Sequence, residues 1–109
     1  MQRRGFVTGG TWCADRNKLI DFWPLEDSVA EILAVELRGG GPGCNLAFDI
    51  RKLDPEMPVE TIGLVGDDPE GRFLLQEALR QGVGSRQLRA VPGEITHYVD
   101  AYSSRRSGR

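Results

Sequence analysis

The sequence has few of the residues on which metal sites, disulfide scaffolds and membrane spans depend. Its two cysteines, Cys13 and Cys44, form no CxxC pair, and His97 is the only histidine among 109 residues, so no zinc-ligand spacing occurs. Two isolated cysteines are typical of reduced cytoplasmic thiols, with a disulfide as the alternative. No apolar run approaches the roughly 18 residues of a membrane span, and no signal peptide is evident. We therefore expect a cytoplasmic protein without a metal site.

The sequence also carries little net charge, although 28% of its residues are charged. The formal net charge is −2, and the arginines are scattered apart from Arg105, Arg106 and Arg109 at the C-terminus. This balance argues against nucleic acid or a membrane surface as a partner, and the arginine cluster is typical of a solvated tail. The hydrophobic content of 39% is ordinary for a globular protein. The length suits a single domain, which we expect to comprise residues 1–109.

The apolar pattern predicts strands that alternate with helices. A short strand is predicted over 5–11, an extended segment over 16–24, and further strands over the ranges 59–65, 87–91 and 96–103. Residues 29–37 fit a helix or a strand, and the glycines that follow suit the end of either. This order of elements is typical of an α/β domain.

The strongest local feature is the glycine-rich segment 39–45 (GGGPGCN), which opens directly into a predicted helix over 43–54. Successive glycines let a backbone approach a ligand closely, and the free N–H groups of a helix start point toward that ligand. Asn45 in the first turn both donates and accepts hydrogen bonds, which suits a polyol as well as an anion. Neither a Walker A loop nor a GxGxxG fingerprint is present, and spacing alone leaves a flexible turn as the alternative.

Two carboxylates lie near the ends of predicted elements. Asp15 follows the first predicted strand, where it can accept hydrogen bonds from vicinal sugar hydroxyls, with an exposed loop aspartate as the alternative. The pair Asp67-Asp68 resembles a metal site only loosely, and we interpret Asp68 as the N-cap of a second helix that starts at Pro69 and ends near Gly82. The predicted apolar face of the first helix consists of Leu46, Ile50 and Leu53. The predicted inward face of the second helix consists of Phe73, Leu74, Ala78 and Leu79.

Taken in order, these features resemble the ribokinase/PfkB family of carbohydrate kinases. The resemblance is carried by a G-G-x-G-x-N signature, a GTWCAD segment, an IGLVGDDPEG segment and a C-terminal strand with its turn, which here are residues 40–45, 10–15, 62–71 and 96–109. Each motif is short, but together they cover nearly the whole chain. The resemblance implies an α/β fold, a ribokinase-like Rossmann-type sandwich with a small β lid, present as its N-terminal part.

The resemblance also implies a function and a set of site residues. The activity would be ATP-dependent, Mg²⁺-assisted phosphorylation of a sugar hydroxyl, with a sugar or a nucleoside as substrate. By position, the substrate-binding residues are Asp15, Gly40, Gly41 and Asn45. Two departures argue against ribose, because Cys13 stands where some members present a polar sugar contact and Pro42 where members can carry a lysine.

The family's second signature, a D-T-x-G-A-G-D-like stretch with the catalytic base, does not occur in the sequence, and neither does the ATP site. We therefore expect no catalytic residue here and an inactive isolated chain. The alternative is a non-catalytic module that binds a sugar or nucleoside, or that oligomerises. The sequence leaves open which sugar and which hydroxyl are involved.

Two exposed apolar surfaces are also expected. Phe22 and Trp23 lie in a predicted extended segment of the lid, and we expect a homodimer through this lid, with packing on their own core as the alternative. Because two helices cannot cover a parallel sheet on both faces, we expect an open strand face that includes Ile62, Leu64 and Val65.

Overall fold

A computed structural model describes residues 4–105 of the chain, and in that range it contains six strands and two helices. In chain order the elements are β1 (Phe6–Gly9), β2 (Cys13–Ile20), β3 (Ile32–Gly40), α1 (Pro42–Leu53), β4 (Val59–Gly66), α2 (Pro69–Arg80), β5 (Gly84–Val91) and β6 (Tyr98–Ser104). The predicted α/β class is confirmed, and the ambiguous region 29–37 contributes to a strand. Arg106 and the predicted turn at 107–109 lie outside the described residues.

The strands form two separate three-stranded sheets. The first, here called the core sheet, has the order β1-β4-β5 with all strands parallel. The second, here called the lid sheet, has the order β3-β2-β6, in which β2 runs antiparallel to β3 and parallel to β6. The chain passes between the two sheets three times: from β1 to β2, from β3 to α1, and from β5 to β6.

The hydrophobic core lies between the two helices and one face of the core sheet. Trp12, at the crossing from β1 to β2, is 1% exposed and meets Phe48 of α1 edge-on, with ring centroids 5.5 Å apart. The indole N–H donates to the Thr61 hydroxyl oxygen at 2.9 Å, which satisfies its polar atom inside the core. The other buried members of this cluster are Cys44, Ala47, Val59, Val65, Leu74, Ala78, Val83 and Leu88.

The buried face of α1 differs from the predicted one. Of the predicted face, Ile50 is partly buried against the core, but Leu46 and Leu53 are 54% and 86% exposed. The buried side chains are instead Cys44, Ala47 and Phe48. These three residues recur at i, i+3 and i+4, so α1 is amphipathic, but its buried stripe lies beside the stripe that was predicted. The prediction followed the larger aliphatic residues, but the smaller Cys44 and Ala47 let the helix lie close to the glycine at the end of β3, where a Cβ on Gly39 would come within 2.9 Å of the Cys44 sulfur.

The second helix follows the prediction more closely. Asp68 is its N-cap, accepting a hydrogen bond from the Gly71 N–H at 2.8 Å, and Pro69 occupies the first position. Leu74 and Ala78 are fully buried, and Phe73 is partly buried. Leu79 is 77% exposed, so its predicted inward position is wrong, because it lies about 100° around the helix from Ala78.

The other face of the core sheet is open to solvent. Ile62 and Leu64 of β4 are 54% and 67% exposed, as expected, but Val65 is only 4% exposed. Successive residues of a strand point to opposite faces, which places Val65 on the face covered by the helices. Within residues 4–105, neither helix has the length and apolar character needed to cross a membrane.

Candidate functional site

Asp15 lies within β2, and its carboxylate is held against the neighbouring strand. In the β2–β3 ladder, Asp15 pairs with Arg38 and Cys13 pairs with Gly40. The carboxylate fills the space that a Cβ on Gly40 would occupy, with the carboxyl carbon only 2.7 Å from that point. A side chain at position 40 therefore displaces Asp15, and the two residues act as one unit.

The thiol of Cys13 lies beside this carboxylate. Its Sγ donates to Asp15 Oδ1 at 3.3 Å. Burial, followed by the hydrogen bond to Asp15 and the negative charge of Asp15, raises the pKa of Cys13 to about 11. The thiol therefore stays protonated at neutral pH and keeps its donor role.

No salt bridge engages Asp15 within the described part of the chain. The basic residues near it pair elsewhere: Arg38 lies 3.0 Å from Glu36, and Arg16 lies 2.8 Å from Asp100 on the opposite face of β2. A carboxylate has about four acceptor positions, and one weak thiol donor occupies only one of them. Asp15 thus retains the capacity to accept hydrogen bonds from ligand hydroxyls.

The glycine-rich segment is folded against the crossing from β1 to β2. Gly41 has a φ of +91° and is the N-cap residue of α1, a backbone conformation that favours glycine. A Cβ at this position would lie 2.9 Å from the carbonyl carbon of Thr11. The Gly43 N–H donates to the Thr11 carbonyl at 3.2 Å, so this N–H points back into the protein rather than toward a ligand.

Asn45 lies in the first turn of α1, where its own N–H donates to the Gly41 carbonyl at 2.8 Å. Its side chain is exposed and lines a groove between β3 and the two helices, together with Arg38 and Lys52. Within residues 4–105 no hydrogen bond joins Asn45 to Asp15. The structure therefore brings Asp15, Gly40 and Gly41 together and places Asn45 one helical turn away.

A cavity of about 600 Å³ opens between the glycine-rich segment and the start of β6. Its walls come from both sides of the crossing: Cys13 and Gly41 on one, Tyr98 and Val99 on the other. A ligand held there would touch the lid sheet and the helix start at the same time. Tyr98 and Val99 were not predicted as cavity residues, because only the sheet order, which places β6 beside β2, brings these strand residues to the cavity.

The described residues do not fit a Mg²⁺ site. In the range 4–105, no group of three or more His, Cys, Asp or Glu side chains is placed to hold a metal ion. The acidic pair between β4 and α2 is already engaged, because Asp67 lies 3.8 Å from Arg72 and Asp68 accepts hydrogen bonds from Gly71 and Thr96.

The structure is that of an α/β protein in which a parallel core sheet and a separate lid sheet meet beside a glycine-rich turn and a cavity. The sequence profile of the pfkB family carbohydrate kinases matches residues 14–102. The chain belongs to the pfkB family of carbohydrate kinases. A comparison with curated proteins returned no match.

Solved structures of kinases have the same fold. A ribokinase from Arabidopsis thaliana, in complex with ribose and ATP, is 27% identical, with a TM-score of 0.80 over 99% of this chain. A ribokinase from Cryptococcus neoformans var. grubii, in complex with ADP, is 23% identical with a TM-score of 0.77 over 98% of this chain. A nucleoside kinase from Methanocaldococcus jannaschii is 18% identical with a TM-score of 0.77 over 96%. This chain spans about a third of their lengths, with coverages of 34%, 32% and 34%.

Proposed function

We propose that this chain supplies the sugar-binding part of an ATP-dependent carbohydrate kinase that phosphorylates a sugar hydroxyl. The observation that carries the proposal is the contact between the Asp15 carboxylate and Gly40, beside the cavity under the lid, in a chain of the pfkB family. The ribose and ATP bound to the Arabidopsis ribokinase support a sugar and a nucleotide as the two substrates. ATP use also fits a location in the cytoplasm.

The proposed roles follow from the geometry of each residue. Asp15 accepts hydrogen bonds from two neighbouring hydroxyls with its free acceptor positions. Gly40 and Gly41 let the ligand approach the backbone closely, and Asn45 at the rim of the helix start donates and accepts further hydrogen bonds. These residues hold the reacting hydroxyl in place, which matters because a misplacement of about 1 Å can lower a rate roughly a hundredfold.

In this proposal, the catalytic base, the nucleotide and Mg²⁺ are held by parts of the kinase outside residues 4–105. When bound, nucleotide and cation supply the phosphoryl group and offset its charge. The described residues provide substrate positioning alone. The substrate is a sugar or a nucleoside. The similarity to the Methanocaldococcus nucleoside kinase supports including nucleosides among the candidate substrates.

A second candidate is a non-catalytic module that binds a sugar or nucleoside, or that oligomerises. It is favoured by the exposed apolar residues of the lid sheet, such as Ile32 and Val35, which suit a surface that binds another molecule. The two candidates differ in one respect that is simple to measure, since only the kinase forms ADP in the presence of sugar.

We also propose that the lid sheet pairs with a second copy of the chain. After β2, Phe22 and Trp23 are 38% and 50% exposed, and on β3 Ile32 and Val35 are 47% and 60% exposed. Large apolar residues grouped on a surface are typical of an interface. Light scattering of the complete protein should give the mass of a dimer, and a monomer that persists at high concentration would remove this proposal.

The function is tested by incubating the complete protein with ATP, Mg²⁺ and a panel of sugars and nucleosides while ADP release is followed. We expect ADP formation that depends on one substrate class. The 109-residue chain alone should form no ADP, because it provides neither a phosphate-binding loop nor a second signature. ADP formation by the complete protein that is independent of every sugar and nucleoside would favour a different activity.

A further inference from the structure

The third crossing between the sheets, residues 92–97, is fixed to the core at a single buried residue. Thr96 is 1% exposed, whereas the side chains on either side of it, Ile95 and His97, are exposed. The Thr96 N–H donates to Asp68 Oδ2 at 2.8 Å, and its hydroxyl donates to Asp68 Oδ1 at 2.5 Å. We call this pair of contacts the Asp68–Thr96 clamp.

The clamp joins three segments that lie too close together to admit further side chains. The Thr96 hydroxyl oxygen accepts a hydrogen bond from the Gly66 N–H at 2.8 Å, at the end of β4. Asp68 Oδ1 accepts a second bond from the Gly71 N–H at 2.8 Å, in the first turn of α2. A Cβ on Gly71 would overlap the backbone carbonyl oxygen of Gly66 and would lie 2.9 Å from the Thr96 hydroxyl oxygen, so only a glycine fits in that turn.

The negative charge of the Asp68 carboxylate strengthens the hydrogen bonds of the clamp. Hydrogen bonds from the Thr96 hydroxyl and N–H, with a smaller effect from the Gly71 N–H, hold the pKa of Asp68 below its usual value. Asp68 is therefore charged at neutral pH, and hydrogen bonds to a charged acceptor are about twice as strong as those to a neutral one.

The clamp ends where the lid begins. The carbonyl of His97, the next residue after Thr96, accepts a hydrogen bond from the Ala14 N–H at 2.9 Å, and the β2–β6 ladder then starts at the pair Ala14 and Tyr98. Ala14 lies between Cys13 and Asp15. Thr96 and His97 themselves line the cavity, and a shift of Thr96 also reaches the strand that carries Asp15 through the bond between His97 and Ala14.

We propose that Asp68, acting through Thr96, is a positioning residue that fixes β6 against β2 and thereby sets the shape of the substrate cavity. This inference rests on the proposed function of that cavity. It assigns to Asp68 a role beyond that of helix N-cap, because an N-cap alone requires only the bond to Gly71.

The kinetic test uses the complete protein with Thr96→Val, which removes the hydroxyl and keeps the side-chain shape. We expect kcat/KM for the sugar to fall about tenfold or more, mainly through KM, while the KM for ATP stays unchanged. Thr96→Ser keeps the hydroxyl and should restore wild-type kinetics. Asp67→Asn is the matched control, because Asp67 is the exposed neighbour that contacts Arg72 and not Thr96.

Hydrogen exchange provides a readout that does not depend on turnover. In Thr96→Val, the amides of β6 should exchange faster while those of β4 and β5 keep their wild-type protection. Unchanged exchange in β6, or an equal increase in all strands, would overturn the proposal, because the clamp would then contribute only to general stability. If the wild-type protein shows no sugar-dependent turnover, the proposed function fails, and the exchange measurement alone still decides the role of the clamp.

Discussion

At the scale of single residues, the candidate site depends on a contact between two strands. The sequence singled out Asp15 and Gly40 separately, from a strand end and from a glycine-rich segment. Their contact could not be predicted, because it depends on the register that pairs Cys13 with Gly40 and Asp15 with Arg38. Strand register is set by long-range packing, and a shift of one residue would turn Asp15 to the other face.

A first prediction uses the space that Asp15 occupies. Gly40→Ala adds a Cβ where the Asp15 carboxylate lies, so the carboxylate must move. In the complete protein, we expect kcat/KM for the sugar to fall by about tenfold to a hundredfold with the KM for ATP unchanged. The matched control is Gly9→Ala, since a Cβ on Gly9 would meet nothing within 4 Å. Equal sugar kinetics in both variants would contradict the proposed role of Gly40.

A second prediction concerns Cys13, whose pKa is raised from 9.0 to about 11. Alkylation requires the thiolate, and a pKa higher by two units lowers the thiolate fraction at pH 8 by roughly a hundredfold. Iodoacetamide should therefore label Cys13 about a hundredfold more slowly in the folded chain than in urea. Because the folded state holds this proton more tightly, the thiol's contribution to stability is present below pH 9 and lost as the pH rises toward 11.

Asp15→Asn provides the control for this measurement. It removes the negative charge that raises the pKa of Cys13 and should accelerate labelling, although only in part, because burial is the larger cause. Peptide mapping separates Cys13 from the fully buried Cys44. A rate in the folded chain that equals the rate in urea and does not respond to Asp15→Asn would show that the two side chains are not in contact.

At the scale of elements, the positions of the helices along the chain were easier to predict than the faces on which those helices pack. The second helix, its N-cap and its first-turn proline follow from local chemistry and are confirmed. The packing face of α1 was harder to predict, because small residues define it: Cys44 and Ala47 are both 0% exposed, whereas Ala78 of α2, also 0% exposed, was predicted correctly. Such residues carry little hydrophobic weight in a periodicity analysis, and their importance comes from allowing close approach to the sheet.

A third prediction tests the corrected face of α2. Leu74→Ala removes a fully buried side chain and should lower the free energy of unfolding by about 2–5 kcal/mol. Leu79→Ala, at a position that is 77% exposed, should change it by less than about 0.5 kcal/mol. Urea denaturation monitored by tryptophan fluorescence measures both variants under the same conditions. Equal losses would mean that Leu79 packs inward, as the sequence pattern had suggested.

At the scale of the whole molecule, the two sheets give an extended shape. The radius of gyration is 16.7 Å, with extents of 62 × 34 × 19 Å, whereas a compact domain of this length has a radius of about 13 Å. The difference arises because the lid sheet is a layer separate from the core. The sequence predicted the fold class and a lid through the resemblance, but it gave no means of placing Tyr98 and Val99 in the cavity, since that requires the order of three strands.

The central claim, that Asp15 holds the hydroxyls of a sugar substrate, is tested most directly by steady-state kinetics of the complete protein carrying Asp15→Ala or Asn45→Ala. Loss of a hydrogen bond to a charged group costs about 1.5–3 kcal/mol, so kcat/KM for the sugar should fall roughly tenfold to a hundredfold in Asp15→Ala. Asn45→Ala should also weaken sugar use, and the KM for ATP should stay near its wild-type value in both variants. Sugar kinetics unchanged in both variants would contradict the assignment of this site.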